Sequence, residues 1–321
     1  MKNSLPFKTD VKLTSYPYLA DYLSILNANK YDYSGIVFNN YIELFYKPWK
    51  GQIRFLNQRK LQSCFNIIRF HFPISDPIQF VIENIDKNQY IVIVLKLNNV
   101  HLDDGFQALD LYHNWIIYGY DMTENKINIA GYVRKNGVNA YKKFEISVSD
   151  FLSSLPQSDN ETNYKKNIMF NHLCVIKKGY LPEKVNYNKI KHTIKKFVFK
   201  IPPFIFNRSV YKRLILHIKI FSKSSFIPHN RSLLDIRDFK TIYEHTIIIY
   251  DLICLISKNQ ELICQYKEIK NCAFSLVLLV ARYRNNLELA KKLTIQKKAI
   301  EKIEMIDKKE KIILKKLLKE I

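Results

Sequence analysis

His113-Asn114-Trp115-Ile116-Ile117-Tyr118-Gly119-Tyr120-Asp121 is the stretch that decides how this chain folds. Five of its nine positions (Trp115, Ile116, Ile117, Tyr118 and Tyr120) are β-branched or aromatic, which suits a buried strand, and a polar turn (Asp121-Met-Thr-Glu-Asn125) follows it. Lys126 to Val133 (KINIAGYV) then resumes the same pattern, so the pair reads as an antiparallel hairpin. Upstream, Tyr90 to Leu97 (YIVIVLKL) is a nearly continuous apolar run of strand length, as expected of a buried strand. Downstream, residues 144–148 predict a further strand, with Ser149 capping a short helix at Phe151 and Leu152. Residues 170–177 (FNHLCVIK) predict a closing strand.

In front of this region, Pro17 suits a first-turn position, and Leu19, Tyr22, Leu23 and Leu26 follow at helical spacing. Ser15 or Tyr16 then sits at the start of that helix. Residues 33–46 read as a short strand or irregular core segment, and residues 58–67 as a second helical stretch that takes in Cys64 as a buried thiol. Beyond about residue 185 the periodicity turns helical to the end, broken at Pro202-Pro203 and at Pro228. The expected class is α+β: an antiparallel-sheet domain over 1–184, followed by an all-helical, basic domain over 185–321. A length of 321 residues fits two domains at roughly 150 residues each.

Charge supports a division of the same kind. Residues 181–321 hold 30 Lys and Arg against 13 Asp and Glu, whereas residues 1–180 hold 21 against 16. Part of the rear excess is balanced, because the lysines of residues 308–319 share a terminal helix with Glu301, Glu304, Glu310 and Glu320. The segment KIKHTIKKFVFK, ending at Lys200, carries five lysines and no acid, and is the candidate docking surface. An acidic protein, an anionic lipid surface or nucleic acid would suit such charge, and so would a genome biased towards lysine, isoleucine and asparagine. Nucleic acid ranks last, because no recognised reading motif accompanies the charge.

Composition also narrows the chemistry. The five cysteines form no CxxC pair, the histidines show no HExxH spacing, and no GxGxxG or GxxxxGK[ST] pattern occurs. No metal and no cofactor are expected. MKNSLPFKTD lacks the apolar stretch of a secretory leader, and no apolar run reaches membrane-spanning length, so a cytoplasmic protein is expected.

The stretch Leu13-Thr-Ser-Tyr-Pro-Tyr-Leu-Ala-Asp-Tyr-Leu23, the Val92–Leu97 strand and the His113–Asp121 strand, in this order, resemble the N-terminal domain of butirosin biosynthesis protein H and its relatives. These are a peptidase C39-like branch of papain-like folds. Asp235-Ile-Arg237, Tyr243-Glu-His245 and residues 281–285 are similar to parts of the helical domain that often follows it in antibiotic and peptide assembly clusters. The resemblance implies an acyltransferase that moves an acyl group from a carrier-protein thioester to a small amine. It implies His113 as general base facing a nucleophile at the head of the first helix.

Two positions depart from that pattern. Where relatives commonly carry a nucleophilic Cys, this chain has Thr14-Ser15-Tyr16. Where they commonly present an orienting Asp, it has Ile129-Ala130-Gly131-Tyr132. Ser15 is therefore read either as a capping oxygen, which its type and position favour, or as a replacement nucleophile. His113 is read as the base or as a hydrogen-bonded core residue, and Asp121 as a turn residue. His113 could also deprotonate the amine for direct attack on the thioester, which needs no enzyme nucleophile. The alternative function is a catalytically degenerate papain-like binding protein, a pseudoenzyme, for a carrier protein, peptide or metabolite.

Overall fold

The computed structural model describes residues 1–47, 52–57, 59–97, 100, 102, 106–108, 112–135, 138–158, 171–199, 210–223, 235–283 and 293–321. The breaks expected at Pro202-Pro203 and Pro228, and the end of the 281–285 segment, lie outside these residues. The fold is α+β, an antiparallel sheet region followed by helices that pack on one another. Two compact units divide it. The first comprises Met1–Asp32 and Leu61–Leu181, the second Tyr33–Lys60 and Pro182–Ile321.

In the first unit the strands are β1 (Lys2–Ser4), β4 (Phe65–Arg69), β5 (Tyr90–Leu95), β6 (Gln107–Ala108), β7 (His113–Asp121), β8 (Lys126–Lys135), β9 (Val138–Ser147) and β10 (His172–Ile176). The second unit supplies β2 (Leu44–Lys47) and β3 (Gln52–Phe55), which pair with each other as a two-stranded sheet. The main sheet runs β4-β10-β5-β7-β8-β6, with β1 added to β7 and β9 to β8, and every pairing is antiparallel. All six residues of β5 are buried, as its unbroken apolar run required. The hairpin β7–β8 forms where the sequence placed it. Asp121 closes it, its Oδ1 accepting from the amides of Thr123 (3.0 Å) and Glu124 (3.2 Å).

Helix α1 (Pro17–Ala28) starts with proline in its first turn and buries nine residues, from Tyr18 to Leu26. Helix α3 (Pro77–Asp86) lies between β4 and β5. The helix after β9, α4 (Val148–Ser153), is capped by Ser147, whose hydroxyl accepts from the Asp150 amide, rather than by Ser149. Residues 58–67 are not helical throughout. A 3-10 turn over Lys60–Cys64 leads directly into β4, because β-branched and aromatic residues from Phe65 onward pair with β10. Residues 33–46, expected as a short strand or irregular core segment, form a short helix, α2 (Ser34–Asn40), and then the start of β2.

That segment belongs to the second unit. Gly35 makes it possible: a Cβ there would lie 1.6 Å from the Glu183 carbonyl oxygen. Asn39 completes the join, donating to the Lys184 carbonyl (2.9 Å) and accepting from the Asn186 amide (2.8 Å). The unit continues as α5 (Tyr187–Phe199), α6 (Val210–Lys223), α7 (Ile236–Ile256), α8 (Gln260–Tyr283) and α9 (Leu293–Leu317). Asp238 of α7 reaches β3 and accepts the Ile53 amide at 2.7 Å. Among the described residues no helix is long and apolar enough to cross a membrane.

Candidate functional site

His113 is the first residue of β7, partly exposed, opposite Leu95 of β5. Its Nδ1 lies 3.1 Å from the Asn114 carbonyl oxygen. A carbonyl can only accept, so this contact requires the proton on Nδ1 and puts the basic lone pair on Nε2.

Ser15 precedes α1 by two residues, but it is not the cap. The capping position is Tyr16, with no side-chain capping bond, so the capping reading of Ser15 is corrected. Its hydroxyl is buried (4% residue exposure) and has no hydrogen-bond partner among the described residues. Buried hydroxyls are rarely left in this state, which makes Ser15 an unusual group.

Tyr132 of β8 links this segment to the histidine. Its hydroxyl donates to the carbonyl of Thr14, the residue before Ser15, and its ring stands edge-on to the His113 ring at 6.0 Å and 67°. The register of β8 and β9 sets Tyr132 opposite Tyr141, with ring centroids 5.2 Å apart. Tyr141 donates in turn to Asp21 Oδ1 of α1 at 2.5 Å. Burial raises the Asp21 carboxyl to about 7, although the Tyr141 bond pulls the other way.

Gly131 allows the strand to sit this close. A Cβ on it would meet the Trp115 ring at 2.4 Å, in keeping with the Trp115–Gly131 pairing. The structure therefore gathers His113 and the chain before Pro17 around Tyr132. Sequence reasoning named His113 and Ser15 and passed over Tyr132, Tyr141 and Asp21.

Cysteine chemistry has no support at this place. Cys64 and Cys174 are both buried, and burial pushes the Cys174 thiol well up, with the Asp21 charge adding to it. A neutral thiol is a poor nucleophile. His172, two residues before Cys174, lies 3.0 Å from the Tyr22 hydroxyl through its Nε2, and burial brings it down to about 4. It stays neutral at physiological pH, a core histidine. Among the described residues no group of His, Cys, Asp and Glu could hold a metal ion.

A second polar cluster lies inside the helical unit. Glu310 of α9, fully buried, accepts from Tyr211 of α6 (2.8 Å) and from Tyr266 of α8, and lies 3.1 Å from His245 Nε2 of α7. Glu310 was assigned to the solvated face of the terminal helix, and the structure corrects that. It falls in step with the buried positions Ile303, Ile306, Ile313 and Leu317, so helical spacing carried the signal.

No protein-family model matches this chain. A search of curated proteins also finds no match.

Proposed function

We propose that this chain is an acyltransferase-like protein of specialised metabolism with a papain-like front unit, moving an acyl group from a carrier-protein thioester to a small amine. The observation that carries the reading is His113, held in the Nδ1–H form by the Asn114 carbonyl and partly exposed at a strand start. That is the form a general base acting through Nε2 requires. The resemblance of the 13–23 and 113–121 stretches to the butirosin biosynthesis protein H family supports the substrate class.

Of the two routes, accessibility favours direct attack. Ser15 Oγ has under 1 Å² of exposed surface, so an acyl group could reach it only after the segment before α1 moved. In the direct route the amine nitrogen attacks the thioester carbon, a C–N bond forms and the C–S bond breaks. His113 Nε2 takes the amine proton and returns it to the departing thiolate. The products are an amide and the free carrier thiol.

The partner would be an acyl carrier protein bearing its acyl group on phosphopantetheine. Helix α5 offers Lys191, Lys195 and Lys196 with no acidic residue between Tyr187 and Phe199, which suits an acidic protein surface. A cytoplasmic location fits five irregularly spaced cysteines with no CxxC pair among them.

The burial of Ser15 also favours a second reading, a papain-like binding protein without turnover. Incubation with a carrier-bound acyl thioester and a panel of small amines separates the alternatives. Amide product with no mass increase on the protein is expected. A stable acyl adduct on Ser15 would establish the covalent route, and binding of the carrier without product would establish the second reading.

A further inference from the structure

This inference rests on the reading of His113 as base, which requires a ring held in one orientation. Fixing the tautomer is one half of that task, and the Asn114 carbonyl does it. The other half is stopping the ring from turning.

We infer that Tyr132 is the positioning residue of this site, tying His113 to the Thr14–Ser15 segment and braced from behind by Tyr141 and Asp21. Four observations carry this. The Tyr132 hydroxyl donates to the Thr14 carbonyl, which fixes the peptide plane leading into Ser15. Its ring meets the imidazole edge-on, a favourable aromatic geometry that resists rotation of the smaller ring. Tyr141, its cross-strand partner, packs on it at 58° and cannot turn away without giving up the 2.5 Å bond to Asp21. Asp21 and Tyr141 are both buried, so water does not compete for that bond.

The brace starts on α1 and ends at the segment that opens α1. Asp21 lies four residues beyond Pro17, Tyr141 and Tyr132 lie on adjacent strands, and Thr14 lies just before the helix. The loop of contacts therefore closes on the same helix, and displacement of any member is opposed by the others. Either protonation state of the Asp21 carboxyl can accept the Tyr141 hydroxyl hydrogen, so the brace does not depend on Asp21 being charged.

The test needs no acyl donor, so it separates this inference from the proposed activity. In the full chain labelled with ¹⁵N and ¹³C, the His113 ring nitrogens and the Thr14 carbonyl carbon are read for wild type, Tyr132→Phe, Tyr132→Leu and Tyr141→Phe. Wild type is expected to show one His113 tautomer, protonated at Nδ1.

Tyr132→Phe should shift the Thr14 carbonyl upfield, by loss of its donor, while leaving the His113 tautomer in place. Tyr132→Leu should average the two ring nitrogens, and Tyr141→Phe should broaden both the Thr14 and the His113 signals. Far-UV circular dichroism checks that each variant folds. If Tyr132→Leu does not fold, the Thr14 shift in Tyr132→Phe decides. An unchanged Thr14 carbonyl in Tyr132→Phe, or unchanged His113 nitrogens in a folded Tyr132→Leu, overturns the inference. A purely structural tyrosine would lower the melting temperature without moving the tautomer.

Discussion

At the scale of single residues, the site depends on groups that sequence patterns treat as filler. Gly131 read only as part of a departure from an expected Asp, yet the Trp115 ring occupies the space its side chain would take. Gly131→Ala should cost about 1–3 kcal/mol, the usual penalty for forcing a core to move, and a thermal melt reads it as a lowered midpoint. Asp21 drew no reading from the sequence. With a folded-state value of about 7 against 3.8, the fold prefers it protonated, and stability falls as pH rises between those values and is level above them. Asp21→Asn keeps an acceptor for Tyr141 but does not titrate. Its stability relative to wild type should therefore improve from about pH 4 to about pH 7, by at most about 4 kcal/mol. Urea unfolding at each end of that window measures the change, and parallel pH dependences would show that Asp21 is not held neutral.

At the scale of elements, much was legible and the failures share a cause. Helix α1 from Pro17, the buried strand β5, the β7–β8 hairpin and the rear helices followed from periodicity and turn residues. The readings of residues 33–46 and 58–67 missed α2 and β4 because these elements are short, and a tertiary partner settles their state: Glu183 against Gly35, and β10 against Phe65 onward. The Asn136-Gly137 dipeptide between β8 and β9 was a readable hairpin signal, and it would have set Tyr132 opposite Tyr141. The direction of the Tyr132 hydroxyl towards Thr14 was not legible, since it depends on contacts more than a hundred residues apart.

Helix α9 gives the strongest prediction of this scale. Burial alone would raise the Glu310 carboxyl, but the neighbouring His245 and the bonds from His245, Tyr266 and Tyr211 outweigh it and hold the group below the usual range. A lowered carboxyl contributes stability above its unfolded value, and that contribution is lost as pH falls through the folded one. Glu310→Ala should destabilise the helical unit by about 3–5 kcal/mol, because it leaves His245 and two tyrosines without their acceptor. Denaturant unfolding of the variant near neutral pH checks this, and a loss below about 1 kcal/mol would show that the four-helix cluster contributes little.

At the scale of the whole molecule, the net charge of +22 is carried mainly by the second half. Long-range attraction between a basic surface and an acidic carrier speeds encounter and is screened by salt. Carrier association should therefore slow steeply as ionic strength rises, an effect that stopped-flow measurements at low and high salt would read. Association independent of salt would remove the role given to α5.

The central claim is that His113, fixed in one tautomer, does the proton transfer. The most direct measurement is the rate of amide formation from a carrier-bound acyl thioester by wild type and by His113→Ala, with and without added imidazole. We expect a loss of at least about 100-fold in the variant, partly restored by imidazole, the range general bases supply. Equal rates for the two proteins would contradict the claim.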